Sequence, residues 1–230
     1  MNTNKSHTGL GLFITLITPF MIMTAQEKNL PFPVSEGGMP MNEVVVNRHS
    51  DREFDPAREI DDATLGQLLW ITAGINRPDA QPSKFGAPVN RSNPTARNWQ
   101  EIRVFVFGKD GVWEYMPSSH SLKLVVEGDQ RALVAGTKEF SQDFVIEAPY
   151  SVVFVADMTE MPEGEHAKAM ALVDAGIACE NLNLACAANG VATVPRATMD
   201  SAGISKLLGL TPLQIPVMNN PIGYIRSSYK

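Results

Sequence analysis

Apolar residues recur three and four apart through "DDATLGQLLWITAG", so that Leu65, Leu68, Leu69 and Thr72 share one face. Asp61 or Asp62 stands where an N-cap is needed and Gly74 closes the run, which predicts a helix. The longest predicted helix is "GEHAKAMALVDAGIACENLNLACAANG", ending in an Asn189-Gly190 C-cap signal. Only Lys168, Asp174 and Glu180 are charged between Ala167 and Ala188, so this helix is expected in a core or a subunit interface. Strand patterns stand between the helices. "EIRVFVFGKDGVWEYM" reads as two strands joined around Asp110-Gly111, and "SVVFVADM" as a strand buried on both faces. Residues 41–47 make a short helix, residues 127–149 one or two helices closed by Pro149, and "SAGISKLLGL" another short helix. "VATVPRATMD" is a strand and turn, "QIPVMNN" a strand, and "PIGYIRSSYK" a last strand or tail. Four prolines and little periodicity make residues 75–98 a long loop. Helices and strands mix without a repeating βαβ order, so the class is α+β with one central sheet.

The first 25 residues differ in kind. Lys5 and His7 precede "GLGLFITLITPFMIM", an uncharged run too short for an easy bilayer crossing, and Ala25 follows it. This predicts a secretory signal peptide over residues 1–25, cut near Ala25/Gln26, and an exported protein; an uncleaved membrane anchor is the alternative, because Met23 stands where a small residue is usual. Residues 26–40, with three prolines and two glycines, read as an irregular arm, and residues 41–230 as the folded domain. A formal charge of −6 argues against nucleic acid as a partner. Cys179 and Cys186 fall in one helix about 10 Å apart, beyond bridging distance, and are read as packing groups.

Three segments carry candidate chemistry. "VNRHSDREFD" gathers Arg48, His49, Ser50 and Arg52, all donors suited to an anion such as a phosphate, against the alternative of a solvated surface. "NPTARNWQ" offers the hydroxyl and amides of Thr95, Asn98 and Gln100 after Pro94. "TVPRATMD" places Val194, Pro195, Arg196 and Ala197 at a strand-to-helix turn, where backbone N–H groups can face a ligand. His7, His49, His120 and His166 have no metal-ligand spacing, and no Gly-x-Ser-x-Gly or phosphate loop is present, so an enzyme of this sequence needs a cofactor for its chemistry.

In this order and spacing the three segments resemble the nitroreductase family of FMN-dependent oxidoreductases. "RHSDREF" is similar to that family's phosphate and ribityl motif, "PTARNWQ" to its loop at the flavin ring, and "GVATVPRATMD" to its segment on the ring's other side. The resemblance runs from Met41 to Tyr224. It implies a nitroreductase-like α+β fold, a central mostly antiparallel sheet flanked by helices, in a homodimer with FMN at the subunit interface. By matching motif, Arg48, His49, Ser50 and Arg52 would hold the phosphate and ribityl chain, and Pro94, Thr95 and Asn98 would reach the ring, from the other subunit or the same one. Val194, Pro195, Arg196 and Ala197 would line the ring, with Arg196 or Arg97 as a cation beside it. Where many members have glycine this chain has Ala197-Thr198, and with its short tail Arg226 or Lys230 would stand in for further phosphate ligands. The implied activity passes hydride from NAD(P)H or another donor through flavin N5 to a nitroaromatic, quinone or similar small molecule. Two alternatives are a flavin-dependent dehydrogenase of a peptide-like substrate and a non-catalytic exported FMN-binding protein.

Overall fold

The middle strands of the sheet are covered on both faces, which is why they read as unbroken apolar runs. The computed structural model describes residues 26–79 and 87–226; the expected signal over residues 1–25, and Lys230, lie outside the described residues. The chain runs β1 (Glu27–Asn29), α1 (Met41–Asn47), α2 (Asp62–Ala73), β2 (Ile75–Arg77) and β3 (Asn90–Arg91), then a 3-10 turn at Ala96–Asn98. It continues β4 (Ile102–Phe107), β5 (Gly111–Met116), β6 (Ser121–Glu127), α3 (Arg131–Ala135), α4 (Phe144–Glu147) and β7 (Tyr150–Asp157). The last elements are α5 (Glu165–Ala188), β8 (Ala192–Thr193), α6 (Ser201–Leu208) and β9 (Gln214–Gly223).

Seven strands form one antiparallel sheet in the order β1-β6-β5-β4-β7-β9-β8. In β4, Ile102, Val104 and Val106 face the layer of α2 and α5, while Phe105 and Phe107 face α3, α4 and α6. β7 divides the same way, with Val152 and Phe154 on one side and Val153 and Val155 on the other. Asp61 caps α2, its Oδ1 accepting from Thr64 N–H at 2.7 Å. α5 lies on the sheet through small residues, Ala167, Ala171, Ala175, Ala178 and Ala185, spaced so that one stripe faces inward and the helix sits close. It ends as the Asn189-Gly190 pair predicts: Gly190 adopts φ 65°, and Val191 N–H reaches back to Cys186 O at 2.9 Å. Cys179 and Cys186 are buried and unbridged, and burial pushes both thiols up, Cys179 to about 12.

Four expectations need correction. Residues 26–40 are not irregular throughout, because β1 adds to the sheet edge against Ser121 to Lys123 of β6. The pattern singles out no strand over residues 117–126, yet β6 (Ser121–Glu127) begins there, a half-buried strand whose outward Val125 and inward Ser121 blur the alternation of polar and apolar positions. Residues 75–98 are not wholly loop, since β2 and β3 pair. The two segments after α6 join into one ten-residue strand, β9. It tolerates Pro216 because the register slips there between Phe154 and Val155, and β8 pairs only with its far end.

Candidate functional site

The basic segment is a strap fixed by its backbone. Arg48 closes α1, donating its N–H to Val44 O at 2.9 Å, and the chain leaves extended. Asp51 N–H donates to Thr193 O at 2.9 Å, which lays the strap along β8. Phe54 is fully buried and bridges Ile225, while Asp55 N–H donates to Tyr224 O at 2.7 Å. Three segments far apart in sequence, residues 48–55, 191–196 and 224–226, therefore converge on one place. Between them and the end of α5 is a hollow of about 390 Å³, lined by His49, Asp51, Arg58, Asn183, Thr193 and Tyr224 among others.

Of the donors expected to hold a phosphate only His49 lines this hollow, and the donors of the strap are unequally committed. His49 Nδ1 lies 3.0 Å from Asp51 Oδ1, and burial raises the Asp51 carboxyl while His49 works against the rise. Ser50 and Arg52 are exposed and Arg48 is partly so; among the described residues no carboxylate pairs with either guanidinium. Arg58 covers the ring of Tyr224 at 3.9 Å. Arg226 joins the strap by donating Nε–H to Phe54 O at 2.7 Å, but its charge faces Glu147 at 2.9 Å.

Arg196 does not take the place expected of it. It is 7% exposed, neither a cation standing beside a ligand nor a solvated one. Its guanidinium donates to Gln142 Oε1 at 2.8 Å, to Val134 O and Ala135 O at 3.1 Å each, and to Asn219 Oδ1 at 2.6 Å. Burial first, and then the nearby Arg52, lower it to about 10. Its backbone exchanges two hydrogen bonds of 2.8 Å with Asn219, whose Nδ2 also donates to Thr198 O at 3.0 Å. Arg196 thus clamps the segment from behind and leaves the half-buried Pro195 and exposed Ala197 to face outward, with Val194 in the core. A second buried network holds β8: Cys179 Sγ–H donates to Asn220 Oδ1 at 3.0 Å, and Asn220 Nδ2 donates to Asn183 Oδ1 at 2.7 Å and Thr193 Oγ1 at 3.0 Å. Gln142, Asn183, Asn219 and Asn220 are absent from the sequence-based set. The visible signal was the Asn219-Asn220 pair inside an apolar run, since buried amides require partners.

The fourth segment lies elsewhere. Pro94 is exposed, and Arg97, Asn98 and Gln100 hold left-handed φ of 49°, 56° and 57°. Asn98 spends both amide hydrogens on Ala87 O and Val89 O, at 3.1 and 3.2 Å, and its Oδ1 accepts from Gln100 Nε2 at 2.9 Å. Thr95 Oγ1 accepts from Gln100 N–H at 3.0 Å, so the side chains expected to meet a ligand first shape their own loop. The loop sits on α5 through Ala96 N–H, which donates to Asp174 Oδ2 at 2.8 Å. From Asp174 to Ala187, which lines the hollow, is about 20 Å along the helix at 1.5 Å per residue. Within one chain the two halves of the expected site are apart. The described residues contain no group of three or more potential metal ligands.

A family model described as the nitroreductase family matches residues 45–224. A solved structure from Ralstonia eutropha, named as a candidate nitroreductase, is 30% identical, covers 87% of this chain and 90% of its own, and has a TM-score of 0.75. A nitroreductase family protein from Clostridium novyi is 20% identical over 84% of this chain and 88% of its own, with a TM-score of 0.58. A candidate NADH dehydrogenase/NAD(P)H nitroreductase of Parabacteroides distasonis, 16% identical over 81% of this chain and 88% of its own, superposes with a TM-score of 0.54. No relative is found among curated proteins.

Proposed function

From the premise that this chain belongs to the nitroreductase family, a family of oxidoreductases, we propose that it is an FMN-dependent oxidoreductase acting on a nitroaromatic, quinone or similar small acceptor. Bound flavin supplies hydride and electron transfer through its N5. The chain's own residues bind and orient it. Arg48 and Arg52, without carboxylate partners among the described residues, suit the doubly charged phosphate of FMN, with Ser50 and His49 as further donors. Pro195 and Ala197, held rigid by Arg196 and Asn219, would line one side of the ring.

The observation that carries the reading is the separation of the two half-sites along α5. A twofold pairing through the outward face of this helix would bring the loop of residues 94–98 from one chain to the strap of the other, completing two equal sites. That face supports the pairing: Leu172 and Val173 are 42% and 53% exposed, and Val46 on the adjoining α1 is 82% exposed.

The test is the visible absorption spectrum of the purified protein, expected to show about one FMN per chain. A colourless protein that takes up no added FMN refutes the proposal. Arg48→Ala with Arg52→Ala removes charge-assisted hydrogen bonds and is expected to weaken FMN binding on the order of a hundredfold or more. We also propose export by the N-terminal segment, and with it an electron donor available outside the cytoplasm. Anaerobic bleaching of the flavin by NADPH at a rate matching turnover would argue against that part alone.

A further inference from the structure

Glu101 stands between the loop of residues 94–98 and strand β4, is 6% exposed, and among the described residues no other residue offers a donor to either carboxylate oxygen. What it meets within hydrogen-bonding reach is another acid, Asp174 of α5, itself 4% exposed. The other charged and titratable groups around the pair come from every packed element. Arg91 of β3 is charge-coupled to Glu101, donates to Ile102 O at 3.0 Å and has a buried Nε without an acceptor among the described residues. Tyr115 of β5 is charge-coupled to Arg91. Arg103, Asp157 and Glu160 line the small hollow that Glu101 also borders. Two buried carboxylates within hydrogen-bonding reach disfavour each other's charge, which favours a proton between them. Burial is the first cause that pushes the Glu101 carboxyl up to about 8, and its hydrogen bond to Asp174 and the charge of Asp174 add to it.

Asp174 has a second duty. Its Oδ2 accepts the N–H of Ala96, an anchor from outside for a loop strained by three left-handed residues. α5 is a 24-residue helix bedded on the sheet and β4 is a central strand, so the part free to yield is the loop between them. We propose that Glu101 is a positioning residue: as a neutral carboxylic acid it donates its proton to Asp174, keeps that carboxylate on Ala96, and seats the loop, which is released when the proton leaves to solvent. Only the claim that the seated loop faces the flavin rests on the function proposed above.

The sign of the effect follows from linkage. In the opened loop Glu101 meets water and regains an ordinary value near 4.5, while in the seated loop it stays protonated to about 8. Opening therefore releases a proton between these limits. The opening constant should rise by up to about tenfold per pH unit and level off above them. Hydrogen exchange of the full chain, read by mass spectrometry on peptides covering residues 94–101 from pH 6 to 9 and divided by the intrinsic exchange rate, measures it. The wild type is expected to show the rise and plateau, and Glu101→Gln, which keeps a donor but cannot ionise, a flat profile. A flat wild-type profile, or a rise that persists in Glu101→Gln, overturns the assignment; should the variant not fold, the wild-type profile decides alone. The rise seen in a chain that binds no flavin supports the pair and refutes the flavin reading, whereas a flavin-loaded protein with a flat profile does the reverse.

Discussion

Removing the Arg196 guanidinium would strand the carbonyl of Val134 and the Oδ1 of Asn219 in the interior, and would leave Ala135 O to the N–H of Gln142 alone. Arg196→Met should therefore lower unfolding stability by roughly 3 kcal/mol in urea titration, and Arg196→Lys should recover little, since an ammonium cannot span four acceptors in one plane. Arg48→Ala should leave stability within about 0.5 kcal/mol by the same titration, because nothing inside depends on that side chain. Residue type predicted neither outcome: both are arginines beside apolar segments, and what separates them is whether buried carbonyls lie within reach. Glu101 adds a dependence on pH. Its folded value of about 8 lies above the unfolded 4.5, so the stability it contributes is fully present below about 4.5 and is lost as pH rises through about 8. The stability of the wild type relative to Glu101→Gln should decline across that window and run parallel above it, as urea midpoints at several pH values would reveal.

At the scale of elements, α5 has two faces with different tolerances. Its inward stripe of alanines touches the sheet, so Ala175→Leu should cost about 1–3 kcal/mol by overpacking, measured by thermal or urea unfolding. Val173→Glu on the outward face should leave the chain folded, shift the proposed dimer to monomer in sedimentation, and lower the content of the proposed flavin. Which elements were legible follows from how much of the signal is local. The caps of α2 and α5, the apolar run of β7 and the turn near Asp110 are written within a few residues. β1 owes its state to a pairing partner some ninety residues away, which no short window contains, whereas β6 pairs with β5 across a short turn and is hidden by its uneven alternation. The strap stood out in the sequence as four donors in five positions, whereas its backbone ties to Thr193 and Tyr224 did not. The clamp by Asn219 and the seat at Asp174 were not, since each is made by a side chain distant in sequence.

For the molecule as a whole, the proposed pairing makes each site a joint product of two chains, and sedimentation of the native protein should give twice the chain mass. The spread of the half-sites along α5 then has a genetic consequence. A chain with Arg48→Ala and Arg52→Ala lacks one half, and a chain with Asn98→Ala lacks the other, so each homodimer is broken at both sites. Unfolded together and refolded as an equal mixture, they exchange partners. Every mixed dimer then combines both lesions at one site and leaves the other untouched, so about one quarter of wild-type flavin binding should reappear from two inactive parents. Were the site built within a single chain, no mixture of the two defective forms would complement.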